Sequence, residues 1–598
     1  MVPISLAIAL AVQGSPVVSL TVDAHGITRG LYHVTERFPA SPGKLTLWFP
    51  RWIPGWHSPG GPVAGNIRFS VSADGRPLAW ARDSVDMNQV TANVSSGAKE
   101  IAVEFTQADS GGSAHLARVD WNELIWYPAG PSDSVRVQAS LLLPDNWSAA
   151  CPLPFRSGAG RIDFDPVSLT RLVDSPAEIG RYYKRYDVTG NSGVKHYLDV
   201  MADTPQGIET PADIIDHVRR THEEMEAITG ATHYREYHWL LTLSDNGAGA
   251  GLEHHECSED GTGSNGFTST VDLADLLCHE YFHSYNGKFR RPEGLCTPDY
   301  QKPMKDDLLW VYEGMTQFMG HLLSARAGWW TPEQWREQMA LNYVEMNTTR
   351  GREWRPLVDT ATGVPATSFG RGGPSWSSAR RRADYYVEMT IIWLEVDMKI
   401  RELTDGKRSI FDFQRLFHGG PSNGPELKPY TFDEVVATLN KVAPYDWAAL
   451  LKERVYQLQP ELSQKGFEMA GWKLVYNDKP NSMMGLLYGS KGGLMLNTSI
   501  GLFVAPDGTI QDVMPGYLGD KAGLAPDMKI LSVNGGKYSD DRLSQATKMG
   551  GTIDLIVSYK EDVRPVSIVY EGGLKIPHLE RIAGAPNRFE DLLKPLSK

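Results

Sequence analysis

The segment His279-Glu280-Tyr281-Phe282-His283 places two imidazoles four residues apart with an acid between them. On a helix, positions i and i+4 lie on one face, so His279 and His283 can grip one metal ion. Glu280 falls about 100° further round, where it can reach a water beside that ion. A His-Glu-x-x-His run is expected on the order of 0.03 times by chance in a chain of this composition, so the pattern is specific. Neutral imidazole suits zinc, and a catalytic zinc keeps one position open for water. Such a centre needs a third protein ligand. His254 and His255 are candidates, but neighbours in an extended loop point in opposing directions. His321 reads as packed or solvated. Cys278 precedes a ligand but points off the metal-facing side.

These residues need rigid elements to hold them. Apolar residues recur at helical spacing from Ile214 to Ile228, with Pro211 near the start and Gly230 at the end. A strand follows at Tyr237–Leu243, and then a glycine-rich loop from Asn246 to Glu253. The His279 helix is predicted over Val271–Tyr285, with Leu273, Leu276 and Leu277 on its buried side. Further helices are predicted over Leu308–Ala325 and from Asp384 past Leu394, and Thr431–Glu434 has the form of a capping box. Together they make a helix-rich domain ending near Leu462. Before it, from about Pro16 to Asp187, apolar and polar residues alternate in short runs separated by Gly, Pro, Ser and Asn. That pattern predicts an all-β sandwich or saddle. The Trp- and Pro-dense segment from Trp48 to Trp56 reads as a packed loop or as one facing a substrate.

The 598 residues suggest about three or four domains. With 41% hydrophobic and 22% charged residues, the composition excludes global disorder. Net charge is −13, and Arg380-Arg381-Arg382, read as a solvated run or a contact to a substrate carboxylate, is the only basic block. Nucleic acid is therefore not expected as a partner. No apolar run reaches the ~18 residues of a membrane span. Val2–Val12 resembles the apolar part of a secretory signal without a preceding Lys or Arg, so residues 1–15 are a possible signal remnant. Export to the periplasm or outside the cell is the expectation, with the cytoplasm as the alternative. Cys151, Cys257, Cys278 and Cys296 fit either two disulfides or four buried thiols.

Trp310-Val-Tyr-Glu313-Gly-Met-Thr-Gln-Phe318 resembles the gluzincin metallopeptidases, in which a second helix donates a glutamate. The resemblance implies a zinc held by His279, His283 and Glu313. Gly251-Leu252-Glu253-His254 resembles the Gly-x-Met-Glu-Asn substrate loop of aminopeptidase N-type enzymes, with Leu and His standing for Met and Asn. There the backbone pairs with the peptide and the glutamate binds its α-amino group, roles that fall here on Gly251, Leu252 and Glu253. Glu256 or Glu388 could share that charge. Tyr385-Tyr386-Val-Glu-Met resembles the Tyr-x-Lys-Gly signature of an oxyanion-stabilising tyrosine but departs from it at Glu388 and Met389. The register favours Tyr386, with Tyr385 as the alternative. Downstream, Ile500–Val504, Val513–Gly516, Lys521–Leu524 and Lys529–Gly535 resemble in order a PDZ domain, with Pro526-Asp527-Met528 where that family commonly has Gly-Asp.

Taken together the chain resembles the glycyl aminopeptidase family. The resemblance implies a multidomain α+β protein: an N-terminal β domain over residues 16–195, a thermolysin-like catalytic domain over 196–470, and a PDZ domain with a tail over 471–598. It implies a zinc aminopeptidase with one zinc per chain, Glu280 as general base, and peptides with a free N-terminus as substrates, small residues (Gly, Ala) first. An extended peptide is expected at the PDZ domain by strand addition near Ile500–Val504, and that domain is expected to be separable from the chemistry. The alternatives are a zinc endopeptidase with the same centre and a non-catalytic PDZ adaptor.

Overall fold

The computed structural model describes residues 17–108, 111–246, 251–367, 375–484 and 493–597. The Val2–Val12 segment and part of the Asn246–Glu253 loop lie outside the described residues. Alternation builds the N-terminal domain. In the strand Val17–Asp23, Val18, Leu20 and Val22 turn inward while Val17 and Ser19 face out. That strand runs parallel to Arg136–Leu142 and antiparallel to Leu31–Pro39 inside a nine-stranded sheet, beside smaller sheets of four and three strands. Their shared core includes Trp121, Trp126 and Tyr127, all buried.

The strand Tyr182–Asp187, assigned above to the N-terminal domain by its boundary at residue 195, pairs instead with Lys195–Ala202 as the first strand of the catalytic sheet. That sheet continues through Glu236–Leu243 and Cys257–Thr262 to a short edge strand, Gly251–Glu253. The domain boundary therefore falls near residue 181. Against the sheet packs the helix Ala212–Thr229, closed by Gly230 in the left-handed conformation (φ 73°).

Two helices carry the candidate metal ligands. The motif helix spans Thr270–His283 and the glutamate helix Leu309–Arg326. They touch almost backbone to backbone: a β-carbon at Gly320 would lie 3.2 Å from the Cα of His279. A third helix, Tyr385–Leu403, packs along the glutamate helix. Among the described residues, no helix is long and apolar enough to cross a membrane.

The C-terminal region divides differently from the expected 471–598 unit. Residues from Leu494 to Tyr570 form one three-stranded and one four-stranded sheet, with the helix Asp540–Met549, around their own core. The flanking strands Trp472–Asn477 and Ile576–Arg581 pair with each other and belong to the catalytic body. Phe589, Leu592 and Leu593 are buried in its core, and the backbone N–H of Leu596 donates to the buried Glu224 carboxylate at 3.0 Å. Cutting near Leu462 would thus strip the catalytic core, so the expected separability fails for that cut. The expected groove is also altered. Leu502–Val504 is paired on both sides, by Leu494–Leu496 and Ile510–Val513, and offers no free edge to an added strand.

Candidate metal centre

The helical i, i+4 spacing brings the His279 and His283 rings to one face. Their Nε2 atoms lie 3.0 Å apart, and Glu313 Oε2 lies 3.1 Å from His283 Nε2 and 3.3 Å from His279 Nε2. All three side chains are buried. Four ligands at about 2.0–2.1 Å around a tetrahedral zinc stand about 3.3–3.4 Å from one another, close to this spacing. The tautomer agrees. His283 Nδ1–H donates to the Asn286 carbonyl at 2.9 Å, which leaves Nε2 as a bare lone pair aimed at a carboxylate. Such a cluster of acceptors is repulsive unless a cation sits among them, so the donor set fits a zinc ion. Asn286 also ties the two helices together. Its amide donates to the Val311 and Tyr312 carbonyls, both at 2.9 Å.

Glu280 is buried beside these residues. Burial, and then the carboxylates of Glu253, Asp260 and Glu313, push its carboxyl well above the usual range. The ligand atoms of Glu253, Glu280 and His283 lie within 4.8 Å of one another. Glu253 ends the edge strand, whose Gly251 is paired with Asp260 and whose half-buried Leu252 is paired with Glu259. The Tyr312 hydroxyl donates to Glu253 Oε1. Burial pushes Glu253 up, but positive charge at the His283 position, where the metal would bind, and on Lys288 outweighs it and holds the carboxyl below its ordinary value.

Tyr386 lies in the first turn of the third helix. Its ring stacks against His279 with centroids 5.9 Å apart, and Tyr385 lies behind it at 4.9 Å. Burial and the carboxylates of Glu313, Glu253 and Glu280 push the Tyr386 hydroxyl well up, so it keeps its proton at neutral pH. Tyr385 also neighbours Glu313, but its other acidic neighbour is Asp306.

Several candidates are engaged elsewhere. Glu388 pairs with Arg352 at 3.2 Å and with Arg381, and Glu256 pairs with Arg171 at 2.9 Å and Arg235 at 3.2 Å. Both carboxylates are thus already matched by arginines. Arg381 is only 1% exposed, which corrects the reading of Arg380–Arg382 as a solvated run: its guanidinium is buried between Asp384 and Glu388. His254 pairs with Glu259 at 3.1 Å, and burial pushes His255 down to about 3. His321 is buried and pairs with Asp275 at 3.1 Å. The four cysteines are free thiols, and burial pushes Cys278 up to about 12, far from a nucleophile's range.

A second grouping, His196, His222 and Glu226, also brings its ligand atoms within 4.8 Å. Its imidazoles are stacked, with centroids 3.7 Å and planes 9° apart. One ion cannot lie in both ring planes, where the nitrogen lone pairs point. His57 is the site residue that sequence reasoning missed. It follows directly on the Trp48–Trp56 loop, and its Nε2 lies 2.5 Å from Glu313 Oε1. Its only sequence signal is a His beside that Trp- and Pro-dense loop.

Residues 19–181 match the family description Peptidase M61 N-terminal domain, and residues 272–392 match M61 glycyl aminopeptidase. Among solved structures, an aminopeptidase N family protein from Idiomarina loihiensis shares the fold over 97% of this chain and 100% of its own, at TM-score 0.77 and 18% identity. An M1 zinc metallopeptidase from Deinococcus radiodurans is a more distant likeness, at TM-score 0.45 and 15% identity over 75% of this chain and 95% of its own. No curated protein matches the sequence. The first match ends one residue before the catalytic sheet begins, and the second spans His279, His283, Glu313 and Tyr386. Over these two stretches the chain is thus similar to the N-terminal and peptidase domains of the M61 glycyl aminopeptidases.

Proposed function

We propose that this protein is a zinc aminopeptidase that removes small N-terminal residues, Gly or Ala, from peptides with a free amine. His279, His283 and Glu313 would hold one zinc per chain. When bound, the ion supplies a Lewis acid that acidifies water and polarises the scissile carbonyl. Glu280 takes the proton of the attacking water and passes it to the leaving amine. Tyr386, protonated and ringed by the site carboxylates, donates to the developing oxyanion. The backbone of Gly251 and Leu252 pairs with the extended peptide. The small-residue preference rests on the M61 glycyl aminopeptidase match alone.

The observation that carries this reading is Glu253. It is a carboxylate 3% exposed, held in its charged form within reach of Glu280 and His283. A peptide's α-amine, with a pKa of about 7.7–8.0, is cationic at neutral pH and would pair with it. Beyond Glu253 the turn at Gly55 closes the space: a β-carbon there would lie 2.7 Å from Glu253 Oε2. That packing would oppose an N-terminal extension past Glu253. The test is a panel of aminoacyl anilides, free and N-acetylated, with and without chelator. Free Gly- and Ala-anilides should be cleaved, acetylated ones not, and chelator should stop turnover. Equal cleavage of both forms would point to an endopeptidase with the same centre.

The Leu494–Tyr570 unit is proposed to be a PDZ domain that buttresses the active site. Its Asp512 accepts from the Ser378 backbone N–H at 2.8 Å, in the segment leading into the Tyr386 helix. Export to the periplasm or outside the cell remains the proposed location.

A further inference from the structure

The carboxylate of Glu313 is used on both oxygens. Oε2 faces the two histidines of the motif helix, and Oε1 faces His57 Nε2 at 2.5 Å across a sequence separation of 256 residues. His57 belongs to the N-terminal domain, yet it is 4% exposed and lies outside the group of ligand atoms gathered within 4.8 Å. Its backbone is in the left-handed region (φ 49°), which an L-residue with a β-carbon occupies at a cost. Such a conformation persists where the surroundings over-determine it, and here they do. Trp52 is buried in the catalytic core, and the N–H groups of Arg51 and Trp52 donate to the Tyr300 carbonyl at 3.1 and 2.8 Å. Gly55 lies against Leu252 and Glu253, and the His57 ring meets Tyr312 edge-on at 5.6 Å.

A buried carboxylate acceptor demands a donor, and Oε1 has one in His57 Nε2–H. With that oxygen held, Oε2 alone is presented toward the two imidazoles. We infer that His57 is a positioning residue for the metal centre: the N-terminal domain, through one hydrogen bond, sets the orientation in which Glu313 offers a single oxygen to the ion. The centre is then shared between two domains, and the Trp52–His57 turn is part of it. The inference rests on reading His279, His283 and Glu313 as the zinc site.

Zinc affinity, measured by competition with a chromophoric chelator, tests this in the full-length chain. His57→Ala should weaken zinc binding by about 10- to 100-fold, the usual effect of losing a hydrogen-bond partner of a metal ligand. His57→Phe keeps a ring against Tyr312 but removes the donor, and should show the same loss. His57→Gln can still donate to Oε1 and should recover most of the affinity. Affinity of His57→Phe within twofold of wild type would overturn the inference, as would a His57→Gln variant no tighter than His57→Phe. His283→Ala is the control. If it too binds zinc like wild type, the zinc-site reading itself falls, whereas if it alone loses zinc, only the role of His57 does.

Discussion

Gly251 and the carboxylate of Glu280 face each other with no room for a β-carbon between them; a methyl group on residue 251 would overlap Glu280 Oε1. The edge strand that would pair with a peptide and the acid that would move the proton therefore share one wall. Gly251→Ala has to displace Glu280, the strand or both. A misplacement of about 1 Å in such a site costs on the order of 10²-fold in rate. Gly251→Ala should therefore lose about 10²-fold in kcat while keeping its zinc, since no candidate ligand moves. Metal content and steady-state kinetics on one preparation check this.

The amine anchor gives the second prediction. Glu253→Gln removes the charge but not the shape of the side chain that accepts from Tyr312. Catalytic efficiency on free Gly- and Ala-anilides should fall by roughly 10²-fold or more, as expected for losing a buried charge-assisted pair of about 3 kcal/mol. Kinetics against acetylated controls decide the matter: an unchanged efficiency would remove Glu253 from substrate binding.

The parts of this site that could be read from sequence are local. His279, Glu280 and His283 fall on one helix, so their spacing alone fixes their relative directions. Glu313 carries its neighbours Trp310 and Gly314 with it as a motif. His57 has no such context: its relation to Glu313 exists only after two domains dock. Arg381 misled for a related reason, because three arginines in a row look solvated until Asp384 and Glu388 fold over the middle one. The return of Phe589 and Leu592 to the catalytic core was hidden because the intervening sheet unit separates them from the domain they complete. Alternation revealed the N-terminal strands but gave no sign that Tyr182–Asp187 joins the next sheet.

That return predicts where the chain can be cut. Phe589 packs against Trp335 and Trp472, with centroids at 5.1 and 5.6 Å. Phe589→Ala should destabilise the catalytic domain by about 3–5 kcal/mol, and a chain ended near Leu462 should not fold. Replacing residues 494–574 by a short linker leaves Phe589 in place and should preserve a cooperative unfolding transition. Thermal or denaturant melts distinguish these variants.

Two buried carboxyls should each take stability away as pH rises. Burial pushes the Asp260 and Glu178 carboxyls up to about 8, well above their unfolded values near 4. Between those values the folded chain keeps protons that the unfolded chain has released. Each group therefore removes about 1.4 kcal/mol of stability per pH unit from about pH 4 to 8, and the effect levels off above. Asp260→Asn should flatten this slope by about one group's share, with its gain over wild type growing from pH 5 to 8. Denaturant unfolding across that range is the measurement; an unchanged slope would show that Asp260 ionises normally in the fold.

In the proposed mechanism His279, His283 and Glu313 hold a catalytic zinc while Glu280 moves the proton. Glu280→Gln separates these roles, because the amide keeps the side chain's size but cannot accept a proton. Zinc stoichiometry and anilide turnover should be determined on the same purified Glu280→Gln protein. Close to one zinc per chain, with turnover reduced by about 10³-fold or more, is expected; full activity, or loss of the metal along with the activity, would contradict the separation of roles.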